Sequence, residues 1–334
     1  MNYLGLLKGE QWVEISEDFD YVRATQDFIG LKLFPMFKTD NMKVAVADLV
    51  EGSDVPVMAL VHALDTEAKI GDRPNYEELK YELLLIKEKI DEGEALRKKI
   101  KDLGMSNEEK KIITAVYNDA SNMISRVLTR FEVLACEAVS TGKATIKENN
   151  VDISIDYNLP EKHKMIVAGW GTITTDILGD LVKIQKQAKN KIVRALTSSK
   201  IMGYILNNTK LNTLAGEAKE YLTEAWAKNY IQSRFGIEFV VVDETYRKSA
   251  QDSTEYNMFN EDVVSFLTTD GALGYTYVTN TPAQDVGAVS ETNGFITVSQ
   301  WTTNDPHTVW TCAEGMGLPV FRNVKQLYIC TVAN

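Results

Sequence analysis

Apolar residues recur at spacings of three and four between Ile113 and Ala138, which predicts a single long helix from about Ser106 to Gly142. Ile113, Val116, Ala120, Ile124, Val127, Phe131, Leu134 and Ala138 fall on one narrow stripe. The opposite face is polar, reading Lys111, Asn118, Asn122, Ser125, Thr129, Glu132, Cys136, Ser140. Ser106 with Glu109 makes a capping box, and Gly142 supplies the residue that turns left-handed at the far end. At 1.5 Å per residue the rod is roughly 50 Å long. Catalytic sites have no need of such a beam, whereas extended subunits that share load with neighbours do.

The flanking patterns are shorter. Residues 1–38 read as an arm with apolar positions at Phe19, Val22 and Phe28. Lys43 to Val50 and Val55 to Val61 read as a hairpin joined by Glu51-Gly52-Ser53-Asp54. Val55, Val57, Ala59 and Val61 share one face while Met58 and Leu60 occupy the other, so this ribbon must be covered on both sides. Two readings stand: buried core strands, or an arm lying across another subunit. After Arg73-Pro74, residues 76–103 read as helical, with Leu79, Leu83, Ile86 and Ile90 in one stripe and Leu96, Ile100 and Leu103 in another. A second hairpin turns at Asn149-Asn150 before Val151, Ile153, Ile155 and Tyr157. Residues 165–320 read as mixed α/β, with helices over Thr172–Lys189 and Thr213–Ser233. Strands are expected at Phe239–Val242, Val263–Leu267, Phe295–Val298 and Leu327–Val332.

With 334 residues the chain has room for one large domain or two ordinary ones, and its 44% hydrophobic and 25% charged content is that of globular proteins. A net charge of −11 argues against a broad basic surface that grips nucleic acid, though not against a wall that encloses it. No secretory signal and no membrane-spanning stretch is evident, so the chain is expected to be made in the cytoplasm. Cys136, Cys312 and Cys330 form no Cys-x-x-Cys pair and are expected to be free buried thiols.

The search for chemistry yields no catalytic, cofactor-binding or metal-ligating residue. Gly142-Lys143 lacks the first glycine of a phosphate loop, because position 137 is Glu. Gly169-Trp170-Gly171 lacks the third glycine of a dinucleotide fingerprint, since Thr174 stands there, and reads as a turn with a packed tryptophan. His62, His163 and His307 have no partner at ligand spacing. Asp176 and Asp180, one helical turn apart, read as a solvated face.

A series of blocks, in order, resembles the lambda-type major capsid proteins of tailed bacteriophages, the coat protein E family. Phe28-Ile29-Gly30-Leu31-Lys32-Leu33-Phe34-Pro35 is similar to the family's arm motif, with Ile29 where the family has Leu. Pro56-Val57-Met58-Ala59, Asp65-Thr66-Glu67-Ala68 and Asp72-Arg73 resemble its extended-loop block. Arg130-Phe131-Glu132 through Thr141-Gly142-Lys143 resembles the close of its spine helix, and Asp156-Tyr157 falls where the family has Asp-Tyr. Phe235-Gly236-Ile237 with Asp243 and Tyr246, Leu273-Gly274-Tyr275-Thr276 with Thr281-Pro282, Val309-Trp310-Thr311 and Leu318-Pro319-Val320-Phe321 complete the series.

The resemblance implies an α+β phage major capsid fold of the Hong-Kong-ninety-seven type. Its expected parts are an N-terminal arm (1–38), an extended β-hairpin loop (39–75), a peripheral domain (76–164) with spine helix 107–141, an axial domain (165–320) and a C-terminal strand (321–334). It implies a non-enzymatic shell subunit of the virion, forming hexamers and pentamers that close into an icosahedral shell around double-stranded DNA. A separate scaffolding protein and a portal are the implied partners, since an arm motif only about 28 residues in leaves no room for a fused scaffold. The polar face of the spine is expected toward a shell surface. Assembly or structural roles are expected for Phe34, Pro35, Val57, Met58, Asp65, Arg73, Ile124, Phe131, Glu132, Gly142, Trp170, Phe235, Gly236, Tyr246, Trp310 and Pro319. The alternatives are a cargo-compartment shell of the same fold and a soluble α/β enzyme.

Overall fold

A computed structural model describes residues 20–49, 76–92, 108–148, 150–189, 191–285, 290–291, 295–305 and 307–333. Its frame is the expected long helix, Glu108–Thr141, whose 34 residues span roughly 50 Å. Gly142, at φ +72°, ends it in the left-handed region that a Cβ disfavours. Along the predicted stripe Ala120, Ile124, Val127, Phe131, Leu134 and Ala138 are all buried.

The two halves of the helix rest on different sheets. Ile124, Val127, Leu128 and Phe131 pack against Val278, Val298 and Ala313 of a six-stranded sheet and against Ile296, just before one of its strands. One turn on, Leu134, Ala135, Ala138 and Val139 pack against Leu196, Val263, Leu267 and Ile329 of a five-stranded sheet.

The six-stranded sheet is built around His307–Phe321, a strand of 15 residues. It pairs antiparallel with Leu84–Glu92, Thr297–Asn304 and Gly274–Thr279, and Met36–Lys38 from the arm adds in parallel to the last of these. In the five-stranded sheet the order is Lys164–Ala168, Leu327–Ala333, Val263–Leu267, Arg194–Thr197, Glu238–Val241. Helices Ile177–Gln187, Ser199–Leu206, Thr209–Glu217 and Glu224–Phe235 pack on one face of it, burying Leu181, Ile184, Ile201, Leu211 and Ile231 against Val264 and Phe266. Each of these helices starts at a side chain that accepts a first-turn N–H: Asp176, Ser198, Asn208 and Thr223.

Val263–Leu267 lies in the middle of this arrangement and is buried at every residue. Val264 and Phe266 point into the core under the short helices, whereas Val263 and Leu267 point into the core under the long one. Between them the Ser265 hydroxyl donates to the Val139 carbonyl of the long helix at 2.8 Å.

The structure corrects several sequence expectations. Residues 76–92 are two strands, Tyr76–Glu82 and Leu84–Glu92, rather than a helix. Leu79 and Tyr81 are half-buried while Lys80 and Glu82 are exposed, and after Leu83 the half-buried positions become Leu84, Ile86, Glu88 and Ile90. Two strands out of phase at Leu83 thus mimic a spacing of four, three and four. Lys43–Leu49 is a strand that pairs with Tyr76–Glu82, and Val55–Val61, its expected hairpin partner, lies outside the described residues. The expected Thr213–Ser233 helix is broken between Glu217 and Glu224, where Lys219 sits at φ +59° and Thr223 caps a new start. Within residues 165–320, Gly274–Thr279 and Thr297–Phe321 belong to the sheet that holds Leu84–Glu92. The Asn149-Asn150 hairpin holds as expected, with Asn150 at φ +63° and Lys143–Glu148 paired to Val151–Asp156.

Candidate assembly site

The polar side of the long helix departs most from its expected exposure. Asn122 is exposed, yet Glu132, Cys136 and Ser140 are 0%, 2% and 2% exposed. That half is closed by the arm, whose short helix Ile29–Leu33 lies across it. Phe28 at the start of the arm helix offers no side-chain cap. Glu132 supplies the cap from another element: the Gly30 N–H donates to its Oε1 at 2.6 Å and the Leu31 N–H to its Oε2 at 2.7 Å. First-turn N–H groups have no partner within their own helix, so a carboxylate placed there satisfies two donors at once.

The approach is close enough to need glycine. A Cβ on Gly30 would lie 2.7 Å from the Ala135 Cβ and 2.8 Å from Glu132 Oε2. The Cys136 thiol donates to Glu132 Oε1 at 3.3 Å. Burial pushes the Glu132 carboxyl above its usual range, against the opposing pull of the two N–H groups. Burial, with the Glu132 charge beside it, likewise holds the Cys136 thiol well above the ordinary thiol value.

Past the helix, Phe34 and Pro35 thread the arm into the six-stranded sheet. The Phe34 ring is fully buried, edge-on to Phe321 at 5.0 Å between centroids. Thr276 donates its hydroxyl to the Phe34 carbonyl at 2.8 Å and its N–H to the Pro35 carbonyl at 3.1 Å. Tyr157 also packs edge-on against Phe321, at 5.1 Å between centroids, and its hydroxyl donates to the Pro319 carbonyl at 2.6 Å. Opposite the spine stripe, Gly315 and Gly317 leave the space that Val127 and Phe131 fill, since a Cβ on Gly315 would sit 2.8 Å from Val127 Cγ1 and 3.2 Å from the Phe131 ring.

The other expected residues are dispersed. Trp170 is 1% exposed and donates from Nε1 to Asp180 at 3.1 Å, so it is the packed tryptophan of its turn. Asp176 and Asp180 have separate jobs, the first as helix cap and partner of Lys210, the second holding Trp170 and Lys183. Gly236, at φ +71°, closes the helix that ends at Phe235. Tyr246 packs on Val133, Cys136 and Met258. Trp310 lies opposite Trp301 in register, with the Lys89 ammonium 4.2 Å above its ring. Val57, Met58, Asp65 and Arg73 lie outside the described residues, as does His62.

Sequence alone does not single out Gly30, Gly315 or Tyr157 as working parts. The one available signal is glycine in the arm block facing a glutamate in the spine block, 102 residues away. Among the described residues no group of three His, Cys, Asp or Glu side chains is placed to hold a metal. Burial pushes the Cys330 thiol up to about 12 and, with Glu314 beside it, the Cys312 thiol up to about 11, so both stay protonated at neutral pH.

A long helix bridging two sheets, with an N-terminal arm locked across it, defines the class of shell-forming capsid proteins with the Hong-Kong-ninety-seven fold. The model of the phage major capsid protein E family matches residues 14–332, and the chain belongs to that family. No curated protein matches the chain. In fold it is similar to a prophage capsid protein from E. coli CFT073, at 17% identity over 77% of this chain and 80% of that one, with a TM-score of 0.56. It is also similar to a phage-related protein from Bordetella bronchiseptica RB50, at 12% identity over 92% of each chain and a TM-score of 0.52. A chain of the cyanophage A-1(L) capsid gives the same figures: 12% identity, 92% of each chain and 0.52. The family is one of structural proteins that build a virion shell, which favours this reading over a cargo compartment or an enzyme.

Proposed function

We propose that the chain is the major head subunit of a tailed phage or prophage, forming hexamers and pentamers that close into an icosahedral shell around double-stranded DNA. The observation that carries the reading is the family match across residues 14–332. The net charge of −11 supports a container rather than a binder, because a wall that gripped phosphate would oppose packaging and release. A separate scaffolding protein guides closure, a portal fills one vertex, and assembly takes place in the bacterial cytoplasm.

In this reading the long helix with the six-stranded sheet is the peripheral part, and the five-stranded sheet with its short helices is the axial part. Glu132, Phe34 and Pro35 set the path of the arm, Ile124 and Phe131 seat the spine, and Gly142 with Pro319 fixes the hairpin beside it. Trp170, Phe235, Gly236 and Tyr246 shape the axial part, and Trp310 the surface of the peripheral sheet. Val57, Met58, Asp65 and Arg73 belong to the loop that reaches a neighbour. The test is electron microscopy and sedimentation of the chain expressed with its scaffolding partner, before and after removal of residues 43–61. The full chain is expected to give closed shells and the deleted chain only small oligomers. Small oligomers from the full chain under every condition would refute the shell, and closed shells from the deleted chain would refute the role of the loop.

A further inference from the structure

Among the described residues the five-stranded sheet ends in two open edges, Lys164–Ala168 on one side and Glu238–Val241 on the other. Unpaired main-chain groups along an edge invite another strand, and single chains usually blunt them with charge, proline or a bulge. Here the first edge carries Ile166 at its centre, 79% exposed, and the second runs Phe239-Val240-Val241. Along that second edge the N–H groups of Glu238 and Val242 donate inward to the Val193 and Thr197 carbonyls. Alternation therefore turns the main-chain groups of Phe239 and Val241 outward. Lys228, Asn229 and Gln232 of the helix Glu224–Phe235 wall a groove beside them.

We propose that the two edges pair with each other between neighbouring copies, Lys164–Ala168 of one lying parallel to Glu238–Val241 of the next, so that the five-stranded sheets join head to tail around each ring. This rests on the ring reading above, in which every copy must offer two different surfaces that fit each other.

Direction, face and charge all match. Lys164–Ala168 and Glu238–Val241 are each parallel to their inner neighbour, and the two pairings of Val263–Leu267 between those neighbours are both antiparallel, so the edges run the same way. A ring axis roughly along the strands keeps that direction from copy to copy, which makes the new pairing parallel. Aligned from their first residues, the strands set Lys164 beside Glu238, Met165 beside Phe239, Ile166 beside Val240 and Val167 beside Val241.

Met165, Val167, Phe239 and Val241 all pack on the core under the short helices, so both pairs share that face. Ile166 and Val240 share the opposite face, where Val240 borders the core under the long helix. A slip of one residue would exchange the faces of one strand and lose every match. At the start of the strands the charges are opposite. Glu238, still half-exposed, holds Arg194 at 3.4 Å on its inner side, and Lys164 of the next copy supplies a cation on the outer side. In a closed ring neither edge is left over, as in a barrel.

The test uses the full chain expressed with its scaffolding partner, and a short bis-maleimide as cross-linker. Cys136, Cys312 and Cys330 are buried, so the wild type is expected to stay uncoupled. The double variant Ile166→Cys, Val240→Cys is expected to couple into a ladder that ends at five and six copies. Ile166→Cys and Val240→Cys proteins assembled together are expected to couple only in pairs, and each alone not at all. A single variant that couples to itself would mean an edge meeting its own kind, and would overturn the proposal. Closed shells of the double variant in electron microscopy without a ladder would overturn the pairing and leave the shell standing, whereas the absence of rings, shells and ladder together would overturn both. Ile166→Glu, at an exposed position, is expected to keep the thermal stability of the isolated subunit and to raise the concentration at which rings form by about tenfold or more. Ring formation at the wild-type concentration would count against the pairing.

Discussion

Gly30 and Ile124 show how little tolerance the arm contact and the stripe have at single residues. Gly30→Ala places a methyl group 2.7 Å from the Ala135 Cβ, a contact that neither helix relieves without moving. The substitution is expected to destabilise the fold by about 1–3 kcal/mol and to expose the peptide bonds after Arg23 and Lys32 to trypsin. Denaturant unfolding and limited proteolysis check it. Ile124 is fully buried, so Ile124→Asp puts an unpaired carboxylate among Met123, Val127 and Leu128. The expected loss is several kcal/mol, about 3–5, visible as insoluble or unfolded protein, whereas Ile124→Val is expected to cost only about 0.5–1.5 kcal/mol. A soluble, fully cooperative Ile124→Asp protein would contradict the packing of the stripe.

Among the elements, the long helix was legible in the sequence because eight apolar positions repeat one period over more than six turns, and Gly142 marks the end. Gly142→Ala is expected to cost about 1–2 kcal/mol, because φ is +72° there and the new Cβ would meet Leu159 at 3.3 Å. A thermal shift measured against wild type tests it. The short strands were less legible for a reason that Leu83 makes plain. Local spacing cannot tell a helical stripe from two strands out of phase, and only pairing along nine residues of His307–Phe321 decides for strand at Leu84–Glu92. The burial of Glu132 was also hidden. A glutamate on the polar side of a helix reads as solvated until the arm, 102 residues earlier, is folded onto it. Phe34, Pro35, Trp170 and Gly236, by contrast, carry their reasons locally, as an aromatic before a proline, a tryptophan in a turn and a glycine at a helix end.

For the whole molecule, charge is the term that scales with assembly. Copies carrying −11 each repel one another at the distances over which they first meet. Raising the ionic strength from about 10 mM to about 150 mM shortens the screening length from roughly 30 Å to 8 Å. Self-association of the full chain is therefore expected to begin at lower protein concentration in the higher salt. Light scattering across a salt series checks this, and association that weakens with salt would mean that attraction between unlike patches governs encounter instead.

The strand Val263–Leu267 has a consequence for how the subunit fails. Its two faces serve the two cores, so neither core keeps its floor if the other melts. Calorimetry of the isolated subunit is expected to give one transition with equal calorimetric and van't Hoff enthalpies, where two separable modules would give two. A tile built this way is all or nothing. A damaged copy loses every contact surface together and drops out of the population competent to join a wall, so quality control precedes construction.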